Sequence, residues 1–210
     1  IARTKPASCG PVMKYWDVRI VDDKDEDVPV GEVGEMLIRP KVPFSTPLGY
    51  FKMPEETLAL WRNLWIHTGD NFRQDADGWL YFLDRKKDAL RRSGENISSF
   101  EVETVLRLFP GIVDAAVYAV PSTEGEDDVA AAIEVDSGWS GDFEALLSYC
   151  YGQLAYFAIP RYVRVVETLP RTQSQKVRKD VLRGEGIAPD AWDRGPGGRK
   201  ALEVRLGVKS

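Results

Sequence analysis

The sequence predicts an α+β protein built from a small β-rich part, residues 1–86, followed by a compact mixed α+β part, residues 87–210. Two observations carry this prediction. Short runs of alternating apolar and polar residues, the pattern of half-buried strands, dominate the first part. In the second part, apolar residues at helical spacing mix with strand-like runs, without the strict βαβ repeat of a doubly wound sheet.

The β-rich part is predicted from strand runs separated by turns. Residues 17–22 alternate polar and apolar side chains, and the acidic run at 22–27 then predicts a solvated turn. Pro54, followed by two glutamates, predicts the first turn of a short helix. Two further strands are expected at 35–39 and 79–83, the second after a turn at 75–78.

The mixed part is predicted from capping and periodicity. Ser98 and Glu101 have the spacing of a capping box, and Pro110 stops the helix that they open. Apolar residues from Phe143 to Leu154 recur at helical spacing and predict an amphipathic helix. The remaining predicted elements are strands at 112–120, 128–135 and 162–166, a short helix at 178–183 and a mostly irregular tail at 184–210.

The composition is that of an ordinary globular protein. Of the 210 residues, 43% are hydrophobic and 29% are charged, which excludes a disordered chain, a collagen-like chain and a disulfide scaffold. The first 160 residues hold 16 basic and 27 acidic side chains, whereas the last 50 hold 12 and 6. A basic end on an acidic body predicts contact with an anion, which charge alone does not identify as nucleic acid, lipid or nucleotide.

Thiols, histidine and hydropathy set further limits. Cys9 and Cys150 are far apart, which favours a reducing, cytoplasmic setting. With His67 as the only histidine, a zinc finger or a histidine-rich metal centre is not expected. No apolar run reaches the roughly 18 residues that a membrane span requires. The start at Ile1, without a Met or a leader, is expected of a piece from inside a longer protein.

Asp70 is the first candidate site residue. It ends a short apolar run, and Gly69-Asp70 is interpreted as a turn. A carboxylate held on a turn can accept hydrogen bonds from both hydroxyls of a vicinal diol, as ribose-binding carboxylates do. Two alternatives stay open: Asp70 only caps a turn, and the neighbouring His67 is a structural side chain rather than a general base.

A basic segment between residues 84 and 97 is the second candidate. Five basic residues lie within eight positions, and Arg and Lys are the side chains that bind phosphate. Ser93 and Gly94 would let the backbone approach a ligand closely. A solvated basic linker is the alternative interpretation.

Lys176 is the third candidate. It ends a hydroxyl-rich loop at 170–176, just before a predicted helix, and a lysine placed there can deliver an ammonium to an oxyanion. Loop lysines without a role are common, so this signal is weak by itself.

In this order, the three segments resemble the adenylate-forming superfamily of acyl-CoA synthetases, adenylation domains and luciferases. Five ordered motifs between about Asp17 and Arg183 carry the resemblance. They are GEVGE at 31–35, GYF with PEET at 49–57, HTGD at 67–70, DRKKD with SGENI at 84–97, and PRTQSQK at 170–176. Within the superfamily, residues 61–70 and the SGENI stretch most resemble carnitine/crotonobetaine-CoA ligases.

The resemblance implies an ATP-dependent acid–thiol ligase that acts in two steps. A carboxylic acid attacks the α-phosphate of ATP to give an acyl-adenylate and pyrophosphate, and the CoA thiol then displaces AMP. Residues 1–86 would be the end of the large AMP-binding domain, and residues 87–210 the small mobile domain. The implied roles are catalysis of the first step by Lys176, ribose and phosphate binding by Asp70 and Arg85, the thiol approach along Ser93 and Gly94, and a hinge at Lys87.

The resemblance also implies what this segment lacks. In the family, the phosphate loop, the acyl pocket and the residues that hold Mg²⁺ precede it, so we expect the chain to be inactive without an N-terminal portion of the same enzyme. Gln175 stands where the family pattern has Gly, which removes backbone freedom from the lysine loop. Asn96 stands where some relatives carry Arg.

Other functions stay open on the sequence alone. An amino-acid adenylation domain would hand its acyl group to a carrier protein, and a nucleotide- or partner-binding module would keep the fold without catalysis. Nucleic-acid binding is not expected, because the basic residues are not interleaved with stacking aromatics. The acid (carnitine-like, aryl or medium-chain) and a homo-oligomeric state stay open.

Overall fold

The computed structural model of the chain describes residues 4–92, 94–122 and 125–207. The chain divides into two compact units, residues 1–87 and 88–210. Sheets and helices occur together, which confirms the predicted α+β class. Within the described ranges, no helix is both long enough and apolar enough to cross a membrane.

A five-stranded antiparallel sheet organises the first unit. In spatial order its strands are β1 (Gly10–Pro11), β5 (Trp79–Arg85), β4 (Ile66–Gln74), β3 (Val33–Pro40) and β2 (Trp16–Val21). A short helix, α1 (Pro54–Leu60), and one turn of 3₁₀ helix (Arg62–Leu64) lie between β3 and β4 in sequence. The strands expected at 17–22, 35–39 and 79–83 and the helix at Pro54 are therefore confirmed.

The core of this sheet follows from strand alternation. Ile20, Phe72 and Leu80 come from three strands and are buried together. Phe72 and Phe82 also meet edge to face, with ring centroids 5.5 Å apart, a geometry favoured by the ring quadrupoles. This packing, together with the pairing of β4 to β3 and β5, holds the side chains that β4 carries.

The acidic run at 22–27 forms the predicted turn, but it is wrong to describe all of it as solvated. The side chain of Asp25 is only 9% exposed, because Arg62 and Asn63 fold back over it. An Arg62 Nη2 lies 2.5 Å from Asp25 Oδ1 and holds the pKa of this carboxyl below its usual value. These partners are 37 and 38 residues away in sequence, so the local pattern did not reveal them.

A four-stranded sheet and helices on both of its faces form the second unit. In spatial order the strands are β11 (Trp192–Asp193), β10 (Tyr162–Val166), β9 (Asp127–Val135) and β8 (Ile112–Pro121). Strands β9 and β10 are parallel, and the other neighbours are antiparallel. A separate hairpin pairs β6 (Leu90–Arg92) with β7 (Glu95–Ile97). The helices are α2 (Ser99–Arg107), α3 (Phe143–Gln153), α4 (Lys179–Glu185) and α5 (Arg199–Leu206).

Successive residues of β8 serve two different cores. Val117 packs in the larger core with Leu106 of α2 and Leu147 of α3. Tyr118, its neighbour in sequence, packs on the opposite face with Leu182 of α4. This alternation makes the sheet the middle layer of the unit, and it explains why β8 and β9 are almost continuously apolar.

The predicted capping signal of α2 is confirmed. Ser98 is the N-cap, and its Oγ accepts a hydrogen bond of 3.2 Å from the backbone N–H of Glu101. Such a cap satisfies one of the free N–H groups at the start of a helix. The helix ends at Arg107, shortly before Pro110.

The expectation of a mostly irregular tail at 184–210 is wrong for twelve of its residues, of which Gly184 and Glu185 are the end of α4. Trp192–Asp193 forms β11 beside β10, and Arg199–Leu206 forms α5. Leu202, which is 2% exposed, anchors the helix in the larger core. The apolar face of α5 is short and stands in a strongly polar segment, so its periodicity was a weak signal.

Candidate functional site

Asp70 lies inside strand β4, so the prediction of a turn at Gly69-Asp70 is wrong. The local structure is instead a β-bulge. Leu37 of β3 pairs with His67 and Glu35 pairs with Asn71, so that residues 68–70 face a single residue of β3. Gly69 takes a φ of +70°, which a glycine adopts readily. The bulge re-aims the strand at the position that carries the Asp70 carboxylate.

The structure brings Asp70 and Arg85 together. The two residues are directly opposed on β4 and β5. Arg85 Nε lies 3.6 Å from Asp70 Oδ1, and the side chains are 48% and 31% exposed. A carboxylate that can accept hydrogen bonds from a diol thus stands beside a guanidinium that can donate to phosphate. The roles of both residues in nucleotide binding stay predictions.

Glu35, which the sequence analysis did not single out, supports the bulge through hydrogen bonds. Its carboxylate is 6% exposed and lies 3.3 Å from His67 Nδ1. It accepts hydrogen bonds from the Gly69 N–H and from Lys86 Nζ, each at 3.1 Å. Burial opposes ionisation of Glu35, but the bonds from Lys86 and Gly69 outweigh it and keep the pKa of this carboxyl below its usual value. The only sequence signal was its place in the GEVGE motif.

The basic segment is more than a solvated linker. Lys86 pairs with Glu35 and with Asp23, and Arg92 Nη2 lies 3.0 Å from the buried Asp128. Lys87, the residue expected at the hinge, is exposed and is the last residue of the first unit. Its hinge role stays a prediction.

The hairpin of the second unit carries the residues expected along the thiol approach. Ser93 lies outside the described residues. Gly94 takes a φ of +77°, and its N–H donates to Glu126 Oε1 at 3.1 Å. Asn96 is exposed and faces Arg91 across the two strands. A guanidinium is therefore available at this pair of positions, although Asn96 itself lacks one.

The Lys176 loop is a closed hairpin with a fixed backbone. Arg171 and Val177 bridge its ends. Thr172 donates its N–H to the Lys176 carbonyl at 2.8 Å, and its Oγ1 accepts the Lys176 N–H at 3.1 Å. The Lys176 side chain itself is exposed. The loop therefore presents an ammonium from a backbone that is held at several points.

Gln175 keeps the backbone conformation that a glycine would take. Its φ is +64°, in the left-handed region, although it has a side chain. The departure from the family pattern therefore leaves the turn in place and adds strain of about 1–2 kcal/mol, the usual difference between right- and left-handed conformations for a residue with a Cβ.

Replacement of Gln175 by Gly is expected to raise the free energy of unfolding by about 0.5–1 kcal/mol, because the relieved strain exceeds the added entropy of the unfolded chain. Urea denaturation of the chain measures this change. Ser174→Gly, in the same loop but without a positive φ, should lower stability instead. A Gln175→Gly variant no more stable than the wild type would contradict the strain.

Comparison with known proteins identifies the class. The family described as AMP-binding enzyme C-terminal domain matches residues 101–176, from the first turn of α2 to Lys176. Residues 101–176 are therefore similar to the C-terminal domain of adenylate-forming enzymes, which confirms the resemblance predicted from the sequence motifs.

Individual relatives narrow the similarity. A crotonobetaine/carnitine–CoA ligase of Salmonella paratyphi B is 33% identical over 178 residues, which are 84% of this chain and 34% of the relative. The crystal structure of the anthranilate CoA ligase AuaEII with anthranoyl-AMP is similar with a TM-score of 0.78 and 27% identity, over 88% of this chain and 36% of that one. An o-succinylbenzoate CoA synthetase from Bacillus subtilis, with ATP and magnesium, gives 0.72 and 31%, over 86% and 36%. The chain thus spans about a third of the length of the relatives that it matches.

Proposed function

We propose that this chain is the C-terminal part of an ATP-dependent acyl-CoA ligase, which joins a carboxylic acid to CoA through an acyl-adenylate. One observation carries the proposal. The segment similar to the AMP-binding C-terminal domain ends at Lys176, and this exposed lysine stands on a loop whose backbone is fixed by hydrogen bonds.

Lys176 acts in the first step. An oxygen of the acid forms a bond to the α-phosphorus of ATP, while the bond from this phosphorus to the bridging oxygen of pyrophosphate breaks. Negative charge builds up on the α-phosphate oxygens during this exchange. An ammonium positioned in advance stabilises that charge without reorganisation at the moment of reaction.

Asp70 and Arg85 bind the nucleotide. The Asp70 carboxylate accepts hydrogen bonds from the two ribose hydroxyls, and Arg85 donates to ribose or phosphate oxygens beside it. Their cross-strand pairing supports this role, because it keeps both groups at the surface on rigid strands.

The second step uses the other face of the small domain. The CoA sulfur bonds to the acyl carbon, the bond from this carbon to the AMP oxygen breaks, and the thiol proton passes to solvent. Ser93 and Gly94 line the approach of the thiol, and Lys87 is the hinge about which the domain turns between the two steps.

Magnesium would neutralise charge on the phosphates of ATP. Among the residues that the structure describes, no group of three or more His, Cys, Asp or Glu side chains comes together as a metal site. The family resemblance implies that the Mg²⁺ ligands lie in the N-terminal portion of the same enzyme, and we assign no step on this chain to the metal.

The proposal predicts acyl-CoA, AMP and pyrophosphate as products. The complete enzyme that contains this chain would be incubated with ATP, magnesium, CoA and a panel of carnitine-like, aryl and medium-chain acids, and the chain alone would serve as the control. We expect product from the complete enzyme and none from the chain. Formation of ADP, or an acyl-adenylate transferred only to a carrier protein, would contradict the assignment to CoA ligases.

A further inference from the structure

Asp114 and Glu134 form an acidic pair on the sheet of the second unit. They are directly opposed on β8 and β9, and their side chains are 23% and 17% exposed. Like charges at opposed positions destabilise a sheet. A pair of this kind therefore needs a cation beside it.

Arg171 supplies that cation to both carboxylates. Its Nη2 lies 2.6 Å from Asp114 Oδ2 and 3.1 Å from Glu134 Oε1. Arg107 assists Asp114, at 3.3 Å. Burial by itself would raise the pKa of the Asp114 carboxyl. The hydrogen bonds from Arg171, from the Ala115 N–H and from Arg107 outweigh burial, so this pKa stays below its usual value.

The same guanidinium holds the peptide bond that leads into Lys176. Arg171 Nη1 donates to the carbonyl oxygen of Gln175 at 3.3 Å. The N–H of this peptide bond belongs to Lys176, and it donates to Thr172 Oγ1 at 3.1 Å. Both polar atoms of one peptide bond are engaged, which fixes the direction in which the Lys176 side chain leaves the loop.

An anchor is needed at this place because the backbone is strained. The left-handed φ of Gln175 persists only where its surroundings hold it. The hydrogen bond from Arg171 reaches the carbonyl of this same residue. The loop conformation therefore depends on a side chain that is itself tied to the sheet.

We propose that Arg171 is the positioning residue of the Lys176 loop, because it joins the acidic pair of the sheet to the Gln175 carbonyl and so orients Lys176 for adenylation. Its effect on catalysis rests on the proposed ligase function, whereas its effect on the loop does not. Arg171 acts through Lys176 and does not contact the substrate in this role.

Amide hydrogen exchange of the Lys176 N–H in this chain tests the anchor. We expect Arg171→Met to raise the exchange rate roughly tenfold, the size of effect that follows the loss of a hydrogen bond to a charged group. Arg178→Met is the matched control, since Arg178 pairs with Asp180 at the surface, and it should leave the rate unchanged. An unchanged Lys176 rate in Arg171→Met would overturn the proposal.

A second variant neutralises the acidic pair and keeps the arginine. Asp114→Asn with Glu134→Gln keeps Arg171 and relieves the like-charge repulsion, so the sheet should stay folded. We expect the same rise in Lys176 exchange as in Arg171→Met. If the exchange rate of the Lys176 N–H rises in Arg171→Met but not in the double variant, the acidic pair does not hold Arg171. That result would overturn the proposed link between the sheet and the loop.

Half-reactions of the complete enzyme test the catalytic consequence. Arg171→Met should lower the kcat of adenylation about tenfold and leave thioester formation from supplied acyl-adenylate and CoA unchanged, and Arg171→Lys should lie between Met and wild type. Equal losses in both half-reactions would overturn the positioning role. If Lys176→Ala retained full adenylation, the proposed function would fail, and exchange alone would still decide whether Arg171 holds the loop.

Discussion

Replacement of Lys176 by Ala is expected to lower the rate of acyl-adenylate formation about 10²–10³-fold, the loss typical when one preorganised donor to developing charge is removed. The measurement is pyrophosphate release, or exchange of pyrophosphate into ATP, by the complete enzyme that contains this chain. Thioester formation from supplied acyl-adenylate and CoA should not change, because in the mechanism that we propose the lysine acts only while charge builds up on the α-phosphate.

A matched control separates this role from the loss of any surface lysine. Lys200 is exposed at the start of α5, and Lys200→Ala should leave both half-reactions as in the wild type. Lys176→Arg retains the charge but changes its reach, so it should recover part of the adenylation rate. Equal loss of both half-reactions in Lys176→Ala would contradict a role limited to the first step.

Replacement of Lys179 by Met is expected to lower the free energy of unfolding of the chain by about 3–5 kcal/mol, the cost of leaving a buried charge without its partner. Lys179 Nζ lies 2.6 Å from Glu103 Oε1, and the side chains are 13% and 10% exposed. Nζ also donates to the Ser99 hydroxyl at 2.5 Å, while the carboxylate accepts the Val117 N–H at 2.9 Å. Chemical denaturation at neutral pH measures the loss.

The pH dependence of this loss has a definite sign. Burial raises the pKa of Glu103 above its usual value even with Lys179 beside it. A carboxyl whose pKa is raised on folding favours the folded state below its ordinary pKa, and this contribution is lost as the pH rises through the folded pKa. The deficit of Lys179→Met should therefore shrink as the solution is acidified.

Glu103→Gln in the Lys179→Met background is the matched control for this ion pair. It removes the buried charge and keeps an acceptor for the Val117 N–H, so it should restore most of the stability and abolish the acid dependence. A Lys179→Met variant as stable as the wild type at neutral pH would contradict the importance of the pair.

Local signals were sufficient for most of the fold. The Ser98 cap and the alternation along β2 are encoded within a few residues, and both were predicted from them. Helix α5 was missed because Leu202 is the only buried residue described in it. The burial of Asp25 was missed because its partners arrive from a distant segment.

The site was less accessible to local reasoning. Asp70 and Arg85 are opposed because of bulges in the β3–β4 and β4–β5 pairs. The sequence of one strand alone does not predict such a register. Glu35 reaches Gly69 across 34 residues, and Arg171 reaches Asp114 across 57. Glu35 and Arg171 both lie in the quoted motifs, GEVGE and PRTQSQK, but the motifs did not reveal what these residues contact, because those contacts are tertiary.

The residues on either side of Lys87 are both tied down. Lys86 is bound to Glu35 and Asp23, and its N–H donates to the Gly69 carbonyl at 2.8 Å, all within the first unit. Asp88 is bound to Arg183 at 2.9 Å within the second. For the hinge that we propose at Lys87, these contacts leave the φ and ψ angles of a single residue between one anchored neighbour and the other.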